Sequence, residues 1–413
     1  MFRRGPGLGL LLNMSRASNG GATLITGASG FLGGLVAAAI LATERRRVVL
    51  PIRSTSDPSQ CRHHIGEALR DLGVPAGEVD VIMGLASVVE LPALDRFDDL
   101  NADAAKHRID EIVHCAGCVD YFDEASLQLA NVDLTGRLLQ SARAWGVRRF
   151  VYLSTAYCAG YRADVIPEQL HPHPEPSAEP TAYTRSKRIA EWMIARSGVP
   201  YLIVRPSVVI GHSRSGTYTG KNYGLYQMWR AIEGLLCREY TPIWHTIAPP
   251  MPLNLVHQDA FQSGFLGIYG QVEPNAVVHL VSDNSSSPTL RDLCWLWADV
   301  YRPVEIRSYA SIDDIPMATV PRRQRRFLEL AWKNFEIATQ PWRFDTTQLD
   351  KLRATGVPFA NATLETVARC QRRYVEGSPR IQDHMRRHGE EVRVGTKLIE
   401  LYSAADFHAA SLG

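Results

Sequence analysis

The chain has 413 residues, 45% hydrophobic and 21% charged, with 45 Lys and Arg against 43 Asp and Glu for a net charge of +2. That balance excludes a disordered, collagenous or disulfide-stapled chain, and it gives no electrostatic reason to expect nucleic acid as the main partner. One skew stands out: 6 of the basic residues are lysine and 39 are arginine, which reads first as coding bias.

Residues 1–13 carry Arg3-Arg4 and an apolar patch ending at Leu12, too short to span a bilayer and without a small-residue cleavage site. Met14 follows, so residues 1–20 read as a disordered tail or a mis-called start. No later stretch is apolar enough to cross a membrane. The seven cysteines are scattered and read as reduced thiols of a cytoplasmic chain.

Short β-branched runs then alternate with helical patterns, the sign of βαβ units and a parallel sheet. Strands are expected over 22–26, 47–53, 79–84, 111–116, 148–155 and 201–206, with a seventh over 277–282 beyond a long insertion. Helices are expected over 30–43, 123–145 and 181–197, and in an Arg-rich second part over 290–301 and 322–335. The segment 167–180, dense in Pro, Glu and His, reads as a surface loop, and His171-Pro172-His173 in it as a solvated pair rather than a metal site.

The first strand runs into Thr26-Gly27-Ala28-Ser29-Gly30-Phe31-Leu32-Gly33, a G-x-x-G-x-x-G turn opening an Ala-rich helix. Gly27 permits a tight turn, Gly30 lets the backbone approach a diphosphate, and Gly33 lets helix and strand pack closely. The diphosphate then meets free N–H groups at the helix start. After the second strand, Arg53-Ser54-Thr55 replaces the acidic residue that selects NAD, and a cation with hydroxyls suits a 2′-phosphate. NADPH (NADP⁺) is the cofactor expected.

Tyr183 and Lys187 stand four apart, on one face of a helix, where an ammonium is expected to lower the phenol's pKa. Tyr183 is then placed to protonate an oxygen as hydride arrives at carbon, and Lys187 to hold the nicotinamide ribose. Upstream, Ser154 and Thr155 follow the fifth strand, at the carboxyl edge where open α/β sheets bind ligands. A Thr155 hydroxyl there can stabilise a developing oxyanion; alternatively it caps backbone. With lysine so scarce, its presence at 187 supports a catalytic use, since arginine cannot replace an ammonium of tunable pKa.

These residues, in this order, resemble the extended short-chain dehydrogenase/reductase superfamily over roughly residues 22–282. The resemblance implies an α/β fold, a doubly wound parallel (Rossmann) sheet with a smaller, mainly helical C-terminal substrate-binding part. It divides the chain into a core at 21–210, a substrate-side insertion at 211–251, a return to the core at 252–282 and a C-terminal part at 283–413. It implies catalytic roles for Thr155, Tyr183 and Lys187, and a structural, cofactor-side role for Asn131. On the cofactor side it adds Thr26, Ser29, Phe31 and Leu32, then Cys115, Ala116 and Gly117, and finally Ser154, Pro206, Ser207 and Val208. On that placement Cys115 and Cys118 are not a redox or zinc pair, and no metal is expected. One departure is Met83-Gly84-Leu85-Ala86, read as standing where similar proteins carry Gly-Asp-Leu after the third strand, with the Asp on adenine.

Within the superfamily the wording is most similar to the fatty acyl-CoA reductase and thioester reductase group. The matching pieces are Leu153-Ser154-Thr155-Ala156-Tyr157, Val204-Arg205-Pro206-Ser207, the 211–216 segment, the 252–259 segment and Trp342-Arg343-Phe344-Asp345. This implies reduction of an acyl thioester, on CoA or a carrier protein, to aldehyde or alcohol, by a monomer or homodimer. Ketone reduction or secondary alcohol oxidation, nucleotide-sugar epimerisation or dehydration, and a non-enzymatic cofactor-binding scaffold remain the alternatives. The aromatic insertion 218–252 reads as lid core or as an acyl pocket. The cluster Arg322-Arg323-Gln324-Arg325-Arg326 reads as a solvated helix face, or a contact for an acidic carrier or a CoA phosphate.

Overall fold

A computed structural model describes residues 20–403 except 163, 173–177, 222 and 389–394, together with residue 406. The expectations for residues 1–19, including a start at Met14, and for His173 lie outside the described residues. The strands are β1 (Ala22–Thr26), β2 (Val48–Arg53), β3 (Ala86–Leu91), β4 (Ile109–His114), β5 (Arg149–Leu153), β6 (Tyr201–Pro206), β7 (Val208–Ile210), β8 (Ile243–Thr246), β9 (Leu255–His257), β10 (Ala276–Leu280), β11 (Glu305–Tyr309) and β12 (Lys397–Leu401). The helices are α1 (Phe31–Glu44), α2 (Pro58–Asp71), α3 (Ala76–Met83), α4 (Asp98–Ala105), α5 (Leu134–Trp145), α6 (Ala182–Ala195) and α7 (Leu225–Leu235). They continue with α8 (Gln258–Gln271), α9 (Leu290–Tyr301), α10 (Arg322–Ala338), α11 (Thr347–Ala354), α12 (Leu364–Glu376) and α13 (Pro379–His388).

Seven strands form one parallel sheet in the order β10-β6-β5-β4-β1-β2-β3. Because side chains alternate along a strand, Leu24 and Ile25 of β1 serve opposite faces. Ile25 joins Leu35 and Ile40 of α1, Ile65 of α2 and Phe261 of α8, while Leu24 joins Leu100 of α4, Leu138 of α5 and Ile194 of α6. Helices cover both faces, which is the doubly wound arrangement expected. The strand order reverses between β1 and β4, and ligands of such folds bind at the carboxyl ends there.

A separate core joins the insertion to the C-terminal part: Trp229 of α7, Trp244 of β8, Trp297 of α9, Phe327 of α10 and Cys370 of α12. That part is helical as expected but also holds a parallel three-stranded sheet, β12-β11-β8, which the sequence reading missed.

Two expectations need correction. Residues 79–84 are not a strand: they close α3, where Val79, Ile82 and Met83 are buried at helical spacing and Val81 is 71% exposed. The third strand starts at Ala86, so Met83-Gly84-Leu85 precedes it, and the residues at its carboxyl end are Glu90 and Leu91. The departure from Gly-Asp-Leu therefore stands at the end of β3 rather than at residues 83–86: Val89-Glu90-Leu91 carries Glu90 in place of an Asp. The expected helix over 123–145 is interrupted, with a helical turn at Glu124–Leu127 and a π-helical turn at Gln128–Asp133 ahead of α5.

Candidate active site

β1 ends at Thr26, and Gly27 follows at φ +76°, a left-handed conformation natural to glycine. A Cβ on Gly27 would sit 2.5 Å from the Ala116 nitrogen, and one on Gly33 would collide with the Gly27 carbonyl. Both positions therefore accept hydrogen alone. Gly30 caps α1 with no side-chain acceptor, and the first turn of α1 holds no acidic residue. Gly30 to Gly33 line a cleft with the positive end of the helix dipole, a cradle fitted to a diphosphate. Thr26 turns away from it: its hydroxyl is 2.7 Å from His114 Nδ1 and accepts from the Ala116 N–H at 3.3 Å. His114, bonded also to Thr135 and wholly buried, has its pKa lowered to about 3 and stays neutral.

At the carboxyl end of β5, Thr155 caps a short 3₁₀ turn over Ala156–Ala159, its hydroxyl accepting from the Tyr157 N–H at 3.4 Å. Helix α6 opens with a reciprocal Thr181–Thr184 capping box, which fixes Tyr183 in the first turn and Lys187 one turn later. Lys187 is 4% exposed; its ammonium donates to the Leu153 carbonyl at 3.0 Å and lies 4.8 Å from the Tyr152 ring centre. No ion pair reaches it among the described residues, and burial lowers its pKa to about 8. One turn further along α6, Glu191 is fully buried against Arg205 of β6, at 2.9 and 2.6 Å, and accepts from the Cys158 thiol at 3.2 Å.

The lowering of Tyr183 by Lys187 does not appear. Burial holds the Tyr183 phenol above its usual range, with Tyr121, Cys158 and Cys118 pushing the same way. Desolvation is the largest influence on the phenol, and the Lys187 ammonium hydrogen-bonds the Leu153 carbonyl. Burial therefore favours the neutral, protonated form of Tyr183.

Asn131 sits in the π-helical turn, fully buried. Its Oδ1 accepts from the Cys118 N–H at 2.8 Å, and its Nδ2 donates to the Cys118 carbonyl and to Ser186 Oγ, at 3.0 and 2.8 Å. The amide therefore clamps the loop after β4 to α6. A Cβ on Gly117 would lie 2.7 Å from Asn131 Oδ1 and 3.3 Å from Lys187 Nζ, so only glycine fits between them.

One cleft of about 1520 Å³ joins these parts. Gly27, Ser29, Gly30, Phe31, Leu32, Gly33 and Arg53 line it on the β1–β2 side, and Cys115, Gly117, Ser154, Thr155, Tyr183, Lys187, Ser207 and Val208 near its middle. Thr26, Ser54, Ala116, Asn131 and Pro206 lie outside its lining, behind or beside it. Burial pushes the Cys115 thiol up to about 12, which suits an inert wall residue. All seven cysteines are free, and no metal-ligating cluster occurs among the described residues. Beyond Tyr183 the cleft opens into a lobe of Trp229, Trp244, Leu293, Trp297, Phe327 and Phe335. Trp229 and Trp244 of the 218–252 insertion thus pack in the second core and also line the cleft wall. Helix α10 serves the cleft with one face and solvent with the other, where Arg323 pairs with Glu239 and Arg326 with Glu329.

Three features escaped the sequence reading. Tyr121 places its ring 6.2 Å from that of Tyr183. Ser186, in Tyr-x-x-Ser-Lys, anchors Asn131, and its position beside Lys187 was the available signal. The segment carrying Tyr218 reaches the start of α1, which needs tertiary structure to see.

Among known proteins, the non-canonical nonribosomal peptide synthetase FrzA of Cladobotryum sp is 23% identical over 285 residues. The match covers 64% of this chain and 27% of that protein, so the chain spans about a quarter of the relative's length. In fold it is similar to the terminal R domain of the myxalamid PKS-NRPS pathway, with a TM-score of 0.64, 19% identity and coverage of 88% and 92% of the two chains. It is also similar to a thiolation-reductase di-domain of an archaeal non-ribosomal peptide synthetase, with a TM-score of 0.65, 19% identity and coverage of 91% and 80%. No described helix is long and apolar enough to cross a membrane. Residues 25–259, more than half of the chain, match the NAD-binding family described as male sterility protein, and the chain belongs to that family.

Proposed function

We propose that the protein is an NADPH-dependent reductase of acyl thioesters, its substrate held on CoA or a carrier protein. The observation that carries this reading is the single cleft joining a diphosphate-shaped turn, Thr155, Tyr183 and Lys187, and an apolar aromatic lobe. The similarity to a thiolation-reductase di-domain supports it. The Gly27–Gly33 cradle fits a dinucleotide diphosphate sterically and electrostatically, and Arg53 at the end of β2 suits a 2′-phosphate. When bound, the reduced nicotinamide supplies the hydride to the carbonyl carbon.

In this reading Tyr183, kept neutral by burial, donates its phenolic proton to the carbonyl oxygen, and the Thr155 hydroxyl hydrogen-bonds the same oxygen. Lys187 holds the ribose and offers an ammonium that readily gives up a proton, because desolvation has already weakened it. Asn131 fixes the 115–118 loop against α6 so that these groups keep register. The apolar lobe, built from residues of 211–251 and 283–413, takes the acyl chain and excludes water from the reacting carbonyl. The protonated adduct is a hemithioacetal, whose collapse expels the thiol and leaves an aldehyde; a second hydride gives the alcohol.

The test is NADPH oxidation followed spectrophotometrically with acyl-CoA, acyl-carrier, ketone and sugar-nucleotide substrates. Thioester turnover is expected, and Tyr183→Phe should lower kcat by about 10²–10⁴-fold with unchanged NADPH affinity. Turnover confined to ketones, or thioester turnover unaffected by Tyr183→Phe, overturns the reading.

A further inference from the structure

The start of α1 is not open on the side facing the insertion. Phe31, its first residue, meets the Tyr218 ring edge-on at 4.8 Å, and Tyr218 stacks on Tyr226 of α7 at 3.7 Å, 5° from parallel. Gly220 lies between Tyr218 and Phe31 so closely that a Cβ would fall 2.5 Å from the Tyr218 hydroxyl and 2.8 Å from the Phe31 ring. The segment is tied on itself as well, since the Tyr218 hydroxyl donates to the Lys221 carbonyl at 2.7 Å and Tyr226 accepts from the Gly211 N–H at 3.2 Å. Residues 217–221 thus form a strap whose path is fixed by ring packing at the head of the phosphate-binding helix. Lys221, the next residue after the contact with Phe31, is exposed and lines the same cleft as Ser29 and Gly30. In a chain that uses arginine almost everywhere, this is the basic residue that the insertion contributes to the cleft lining.

We propose that Lys221 binds a phosphate group in the cleft, with the strap completing the phosphate site begun by the glycine turn. The proposal rests on the dinucleotide reading above. A flexible ammonium on the wall of the cleft that holds a helix N-terminus adds a full charge to the partial one there, a combination suited to a phosphate oxygen and of no use to an acyl chain. Two phosphates can reach a cleft of this kind: the dinucleotide diphosphate, or the phosphate on the pantetheine arm of the thioester donor.

The experiment compares Lys221→Met and Lys221→Arg with the unsubstituted full chain. Fluorescence titration gives Kd for NADPH and NADH, and initial rates give KM for an acyl-CoA and for the same acyl group on N-acetylcysteamine, which has no phosphate. If Lys221 holds the dinucleotide diphosphate, Lys221→Met raises both Kd values about tenfold and equally, and Lys221→Arg restores them. If it holds the donor's phosphate, the KM for acyl-CoA rises about tenfold while the N-acetylcysteamine thioester is unaffected. Values for Lys221→Met all within twofold of the parent overturn the proposal. Failure of the unsubstituted chain to bind either dinucleotide strikes instead at the function proposed above.

Discussion

Two buried charged centres sit at opposite ends of the same strands. At the amino end, Glu111 of β4 is fully buried and surrounded: Arg149 Nε donates to it at 2.7 Å, Arg148 at 3.2 Å and Thr23 at 3.3 Å, with Tyr269 and Arg46 completing the ring. At the carboxyl end, Lys187 is just as buried but has a backbone carbonyl and the face of a ring. Charge placed for stability is paired and hydrogen-bonded until its desolvation is offset. Charge left half-compensated has a perturbed pKa, which is where a proton can be moved.

The largest effect expected from this contrast is at the paired centre. Glu111→Gln leaves Arg149 buried beside a neutral amide, while Arg46 keeps Asp110, and should cost about 3–5 kcal/mol of unfolding free energy, read from denaturant midpoints. A loss below ~1 kcal/mol would place Glu111 among ordinary surface pairs and dissolve the comparison. At the other centre the change should appear in catalysis. Lys187 carries its charge below its pKa of about 8 and loses it above, so kcat/KM should fall about tenfold per pH unit on the alkaline side. In Lys187→Arg, which stays protonated, that limb should disappear even if the rate is low throughout. A limb that persists in Lys187→Arg assigns it to another group. The smallest effect concerns Arg53, on the cleft wall and exposed. Arg53→Ala should weaken NADPH about tenfold and leave NADH unchanged; equal losses would remove the basis for NADPH.

The same contrast bears on what the sequence could reveal. The glycine turn, β6 and α9 were legible because each depends on local spacing: a turn between strand and helix, a β-branched run, a capped 3.6-residue pattern. Tyr183 and Lys187 were legible for the same reason, being one helical turn apart. The short run at 79–84 looks like a strand because Val79, Val81 and Ile82 are β-branched, although burial at 79, 82 and 83 follows helical spacing. What stayed hidden is long-range. Glu111 and Tyr269 are 158 residues apart, β8 and β11 lie in different segments, and the direction of the Lys187 ammonium depends on where β5 ends. The sequence suggested the groups but not which of them would be compensated, and compensation decides the pKa.

The π-helical turn at Gln128–Asp133 carries a consequence for how this region can vary. A widened turn holds one residue more than an α-helical turn, so the length of the segment, not only the identity of Asn131, aims the amide at Cys118 and Ser186. Losing one residue there would swing Asn131 by about 100° around the helix axis and uncouple the 115–118 loop from α6 with every side chain still present. The segment is therefore a spacer whose information is its count: it can accept many substitutions on its exposed side and no change in length.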